Sequence, residues 1–211
     1  QDAQTTDSTK SDWLESLLQL ATHELYRGNA FRMTSLPVHA SSRDISRQAD
    51  KLKMAQSLGL AAQSQRAIFS LEPPPDGEAL REAVQHLSKP ERRLFNELFW
   101  LWPLDENVGQ PDTALTLLSQ GELAQAEKLW RAIDAKSPSF PAALHNLAVF
   151  HHLQALDEEH KALTEESDSE NADPGQHWEA ALAAWEGVLD REGVWDRLTT
   201  RMRALEDPRV T

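Results

Sequence analysis

Histidines stand at positions 145, 151, 152 and 160. Imidazole is the side chain best suited to binding metals or moving protons near neutral pH. His145 and His152 share one helical face two turns apart, too long a step for both to chelate one ion unaided. The His-Glu-x-x-His spacing of a zinc site is also missing, since His23-Glu24 has no histidine four residues after His23. Helix packing is therefore the expected role of these rings. A small metal-dependent enzyme built on the His145–His152 helix is the rival reading. Asp168, Glu170 and Asp173 offer oxygen ligands of the kind calcium takes. They lack the central glycine and terminal acid of a calcium loop, so a solvated acidic loop is expected. The sequence has no Gly-rich phosphate loop, no Gly-x-Ser-x-Gly elbow and no carboxylate pair in an active-site setting. With no cysteine, thiol nucleophiles, thiolate metal sites and disulfides are excluded. The chemistry points to a protein that is not an enzyme, with no cofactor and no metal.

What remains is recognition. Arg43, Arg47 and Lys51 recur every fourth residue, which places them on one stripe of a helix. In a chain of net charge −13, a local positive face suits an acidic partner surface. The same net charge disfavours nucleic acid, which is held largely by Lys and Arg on phosphates, and disfavours anionic membrane surfaces. No apolar run reaches the length of a membrane span and no signal-peptide core is present. A cytoplasmic protein is expected. Gln1 is not a methionine, and the expectation is a trimmed chain. At 211 residues, 40% hydrophobic and 26% charged, the chain is long and apolar enough for a real core in one or two domains.

The element that must position the basic stripe lies in Asn29–Leu52. Phe31 and Met33 precede Pro37, which breaks the first short helix. Ser41-Ser42-Arg43-Asp44 then reads as a capping box, and Ile45, Ala49, Leu52 and Ala55 recur at helical spacing behind it. Two helices meeting at a tight corner are predicted. A linker from Gly59 through Pro73-Pro74-Pro75 must be extended. Asp76 caps the next helix, and Pro90 starts another. That helix carries Leu94, Phe95, Leu98, Phe99, Leu101 and Trp102, with Pro103 closing it. Each such side chain stabilises by roughly 1.5–3 kcal/mol when fully buried, so the segment must be covered. Core or domain junction is the plain reading; a partner-docking patch through Phe99 and Trp102 is the sharper one.

The block from Phe31 to Leu52 resembles the opening of a J domain, the co-chaperone module of the DnaJ family. Phe31 takes the family's aromatic place, Ser35 its glycine, Leu36 its valine and Ala40-Ser41 its turn, with Asp44-Ile45 and Leu52 in register. A second block, Glu82–Phe95, is similar to the family's third helix and its continuation, through Glu82-Ala83, Leu87, Pro90 and Arg93, although Lys89 replaces the usual acid. The resemblance implies that the second-helix face with Arg43, Arg47 and Lys51 meets a DnaK-type chaperone. Between Lys53 and Leu80 there is no histidine, so the family's ATPase-stimulating His-Pro-Asp is missing. Its nearest trace, Pro74-Pro75-Asp76, lies too close to the following helix and reads as a cap.

The second half contains an internal repeat: Ala126, Trp130 and Ile133 have the spacing of Ala181, Trp185 and Val188. Gly121, Ala126, Trp130, Ile133 and Pro138 resemble marker positions of a tetratricopeptide repeat, and Leu144, Leu147 and Ala148 begin the next one. An acidic segment from Asp157 to Gln176 then inserts into the helix–helix turn or extends the helices. Asn146 is the lone trace of that family's clamp for acidic chaperone tails. A final short helix runs through Trp195, Leu198 and Met202.

The sequence is thus expected to be all-α. A tail and brace helix (1–28, from Ser11 or Asp12 through Trp13 to Leu25) precedes a J-like helical domain (29–103). This packs against tetratricopeptide-like repeats with an acidic insertion (104–211). The function expected is a protein-binding, co-chaperone-like adaptor, with direct action on a DnaK-type ATPase as the alternative.

Overall fold

The computed structural model describes residues 22–58, 68–105, 112–164 and 174–206, which form ten helices and no strand. The all-α class expected from the sequence is what these residues adopt. The predicted Trp13–Leu20 part of the brace helix, most of the linker after Gly59, and Asp168, Glu170 and Asp173 lie outside the described residues. None of the described helices is long and apolar enough to cross a membrane.

The first half consists of α1 (Glu24–Arg27), α2 (Ala30–Thr34), α3 (Ser42–Ser57), α4 (Gly77–Leu87) and α5 (Pro90–Leu98). Their ends are set locally. Asn29 caps α2 through its side-chain oxygen. Ser41 and Asp44 exchange the hydrogen bonds of a capping box at the start of α3. Asp76 accepts from the Glu78 and Ala79 amides at the start of α4, and Pro90 occupies the first turn of α5. Helix α4 packs against both α2 and α3. Ile45 and Leu52 point inward from α3, whereas Arg43, Arg47 and Lys51 face outward.

The second half contains α6 (Thr113–Ser119), α7 (Leu123–Arg131), α8 (Phe140–Thr164), α9 (Pro174–Leu189) and α10 (Glu192–Glu206). Helices α6 and α7 form a hairpin turned at Gly121, whose φ of +82° is the left-handed conformation glycine adopts without strain. Helices α8 and α9 make the most extensive pairing. It is antiparallel, because Glu159 meets Trp178 at one end while Leu144 meets Gly187 at the other. The acidic segment accordingly begins as helix, with α8 continuing through Asp157 to Thr164.

One apolar core runs through both halves, from Tyr26 and Phe31 through Leu80 and Trp102 to Trp130, Phe150 and Val194. Helix α8 contributes His145, Val149, Phe150 and Leu153 to this shared core. Helix α10 returns to pack on α5. The short helix expected through Trp195, Leu198 and Met202 is this one; its inward residues are Val194, Leu198 and Leu205, while Trp195 and Met202 are exposed.

The greasy helix predicted to run to Pro103 stops at Leu98. The carbonyls of its last turn are taken by side chains. Asn29 Nδ2 donates to the Asn96 and Phe99 oxygens, Trp102 Nε1 to the Glu97 oxygen and His145 Nε2 to the Leu98 oxygen. A buried helix end is tolerated when its orphan carbonyls find such donors. Phe99–Pro103 therefore crosses the core as irregular buried chain.

Candidate functional site

The basic stripe stands on a helix whose N-terminal approach is held from elsewhere in the fold. Arg93 NH2 donates to the carbonyls of Val38 at 3.0 Å and Ala40 at 2.6 Å. Arg201 of α10 donates to the same Val38 oxygen at 3.2 Å. Glu97 binds both guanidiniums, accepting from Arg93 Nε at 2.9 Å and Arg201 Nε at 2.8 Å. Further along α3, Gln48 Nε2 reaches the Thr34 carbonyl at 2.9 Å. The corner before α3 is thus fixed by residues up to 163 positions away. Arg47 lies 3.6 Å from Asp44, a solvent-screened contact of little energetic weight. The Asp44 carboxyl is held below its usual range, chiefly by its hydrogen bonds to Ser41.

The Phe99–Trp102 pair does not join this surface. Trp102 is 2% exposed; its indole stacks on His145 with centroids 3.6 Å apart, and Arg197 lies over its ring. Phe99 is buried against Phe95 and Trp185. The docking-patch reading is corrected accordingly: these rings are covered by α8, α9 and α10 and form the junction between the halves. Asn146, the trace of a peptide clamp, is fully buried and bound to the Trp102 backbone.

Each histidine of α8 meets a ring from another segment. His145 stacks on Trp102, His152 accepts from or donates to the Tyr26 hydroxyl at 3.0 Å, and His160 stacks on His23. Burial lowers the His145 pKa to about 3, so the ring is neutral. Burial likewise raises the Tyr26 hydroxyl well above its ordinary value.

His151 and His177 come closest to a chemical constellation. Their Nδ1 atoms are 3.1 Å apart, and each Nε2 faces a carboxylate, Glu127 at 3.3 Å and Glu158 at 3.6 Å. Arg131 also approaches His151 Nε2 at 3.2 Å. The ring centroids are 5.4 Å apart, the span of two imidazoles laid end to end, so the facing lone pairs lie on one line. An in-line metal about 2.0–2.1 Å from each nitrogen needs roughly 4 Å between them. The geometry suits a shared proton. Burial lowers the His151 pKa, with Glu127 opposing that shift and the His177 and Arg131 charges adding to it. Among the described residues no group of three metal-ligating side chains converges.

A cleft of about 270 Å³ lies beside the α2–α3 corner, lined chiefly by Phe31, Leu36, Pro37, Ile68, Trp100 and Leu115. His39 and the hydroxyl side chains of Ser35, Thr116 and Ser119 also line it.

Sequence reasoning missed Arg93, Glu97 and Arg201 as the frame of α3, and Arg32, whose guanidinium forms a two-point pair with Asp157 at 3.2 and 2.6 Å. A buried arginine leaves no local signature; an arginine within an apolar helix face is the sole hint. No family model, no curated protein and no solved structure matches this chain.

Proposed function

We propose that this protein is a non-enzymatic, co-chaperone-like adaptor that captures protein partners through the exposed face of α3. The observation that carries the reading is Arg43, Arg47 and Lys51 in a solvent-facing row on a helix fixed by Arg93, Glu97, Arg201 and Gln48. A cationic row on an anchored helix of an acidic protein favours an acidic partner surface and fixes its register. The histidines at the core supply packing and hydrogen bonds.

Two features support the J-like reading. Ser35, standing where that family has glycine, has φ of 56°, the left-handed region that glycine enters most easily. The order of short helix, Pro-bearing corner, long helix, linker and third helix is also that family's order. A DnaK-type chaperone is therefore the partner class we favour. Asp76, in the nearest trace of His-Pro-Asp, is engaged as the cap of α4.

Capture from the native host with wild type and with the Arg43→Glu, Arg47→Glu, Lys51→Glu triple variant tests the reading. Partners lost from the variant at unchanged helicity support it; an identical set of partners refutes it. Direct action on the chaperone ATPase is the second reading, resting on the same likeness to a J domain. A steady-state ATPase assay with the cognate chaperone decides it, and no stimulation is expected.

A further inference from the structure

The negative charge is distributed unevenly. Residues 1–103 hold 13 Asp and Glu against 12 Lys and Arg, whereas residues 104–211 hold 21 against 9. Within the near-neutral half, α3 is the basic element, and its exposed row does not end with Lys51. Met54 follows on the same stripe at 66% exposure, and Leu58 just past the helix end is equally open. The row is therefore basic at one end and apolar at the other.

The acidic half presents apolar and acidic residues side by side. Leu182 and Leu189, seven residues apart and so on one stripe of α9, are both exposed, Leu182 by 64%. Trp195 of α10 continues the patch: its indole donates to the Leu189 carbonyl at 2.9 Å, which lays the exposed ring against the end of α9. Glu179, Glu186 and Asp190 are exposed along one flank of the leucine stripe. Their spacing of seven and four residues forms a row, as the cations do on α3.

We propose that a second copy of this chain occupies the α9–α10 face. The Arg43–Arg47–Lys51–Met54–Leu58 row of one copy lies along Leu182, Leu189 and Trp195 of the next, with its cations against Glu179, Glu186 and Asp190. Two different surfaces meet, so the contact is heterologous and adds copies head to tail until a ring closes or the chain continues. Exposed apolar side chains rimmed by charge are the ordinary makings of such an interface. The net charge of −13 opposes association, and this head-to-tail pairing brings the unlike rows together. The inference does not rest on the adaptor reading, although it uses the same stripe.

The test is sedimentation velocity of the purified full chain from about 5 to about 500 μM, a range that reveals a weak interface. Wild type is expected to shift toward larger species with concentration. Arg47→Glu with Lys51→Glu blocks one surface, and Leu182→Glu with Leu189→Glu blocks the other, all four sites being exposed. Each double variant alone should remain monomeric. Their equimolar mixture should form a 1:1 dimer that grows no further, since one intact surface of each kind remains. Wild type that stays monomeric throughout, either variant associating as wild type does, or a mixture that stays monomeric overturns the proposal. Because no foreign partner enters the experiment, its failure leaves the adaptor reading standing.

Discussion

Asn146 holds the backbone of Trp102 by both of its polar groups. Its Oδ1 accepts from the Trp102 amide and its Nδ2 donates to the Trp102 carbonyl, each at 2.7 Å. One side chain thus satisfies both backbone groups of a buried residue outside any helix. Asn146→Ala leaves that amide and carbonyl orphaned at the junction between the halves. At about 1–3 kcal/mol for each unsatisfied group, a loss of roughly 2–6 kcal/mol is expected in urea unfolding.

Glu97 is the anion between two guanidiniums, Arg93 being buried and Arg201 partly so. Glu97→Ala removes their shared partner and leaves like charges facing each other. Breaking a buried pair from one side costs about 3–5 kcal/mol. Arg47→Ala, on the exposed stripe, should change stability by no more than about 0.5 kcal/mol. Thermal or urea denaturation of the two variants in parallel measures the contrast.

Ser35 adopts a left-handed backbone that a Cβ disfavours by about 1–2 kcal/mol. Ser35→Gly relieves this at the cost of greater chain freedom when unfolded, about 0.5–1 kcal/mol. A net gain of several tenths to about 1 kcal/mol is expected as a higher urea midpoint. A lower midpoint would show that the serine side chain stabilises this corner.

Acid should weaken the fold through His145. The ring stays neutral in the folded protein down to about pH 3, whereas in the unfolded chain it takes up a proton near pH 6.5. Between those values the unfolded state binds more protons, so stability is complete above about pH 6.5 and falls as pH drops toward 3. By pH 5 the loss from this group is about 2 kcal/mol. The His151 pKa, lowered in the same direction, steepens the slope. His145→Phe should flatten the dependence of the urea midpoint on pH between 7.5 and 5, whatever it costs at pH 7.5.

What the sequence disclosed was local. Asp76, Pro90 and the Ser41–Asp44 box act on backbone groups within a few residues, and their types alone announced where helices begin. Ile45 and Leu52 likewise showed their inward face by spacing. Pro103 misled, because a proline marks where a helix can no longer continue and not where it stops. The stop at Leu98 is made by Asn29 and His145, reaching across 67 and 70 positions and 47 positions, as well as by Trp102 nearby. The candidate surface divided the same way. Helical periodicity placed Arg43, Arg47 and Lys51 on one exposed row, but burial of Phe99 and Trp102 depended on α8, α9 and α10, which no local pattern brings to them. The frame of Arg93, Glu97 and Arg201 joins residues up to 108 positions apart and had no signal of its own.

The central claim is that a row of exposed cations on α3 is the working surface. Its most direct test is a titration of a purified captured partner against wild type and the Arg43→Glu, Arg47→Glu, Lys51→Glu variant, matched for helicity by circular dichroism. Loss of three charge pairings at about 0.5–1 kcal/mol each predicts affinity weaker by roughly tenfold to a hundredfold. Equal affinity for the two proteins would contradict the account.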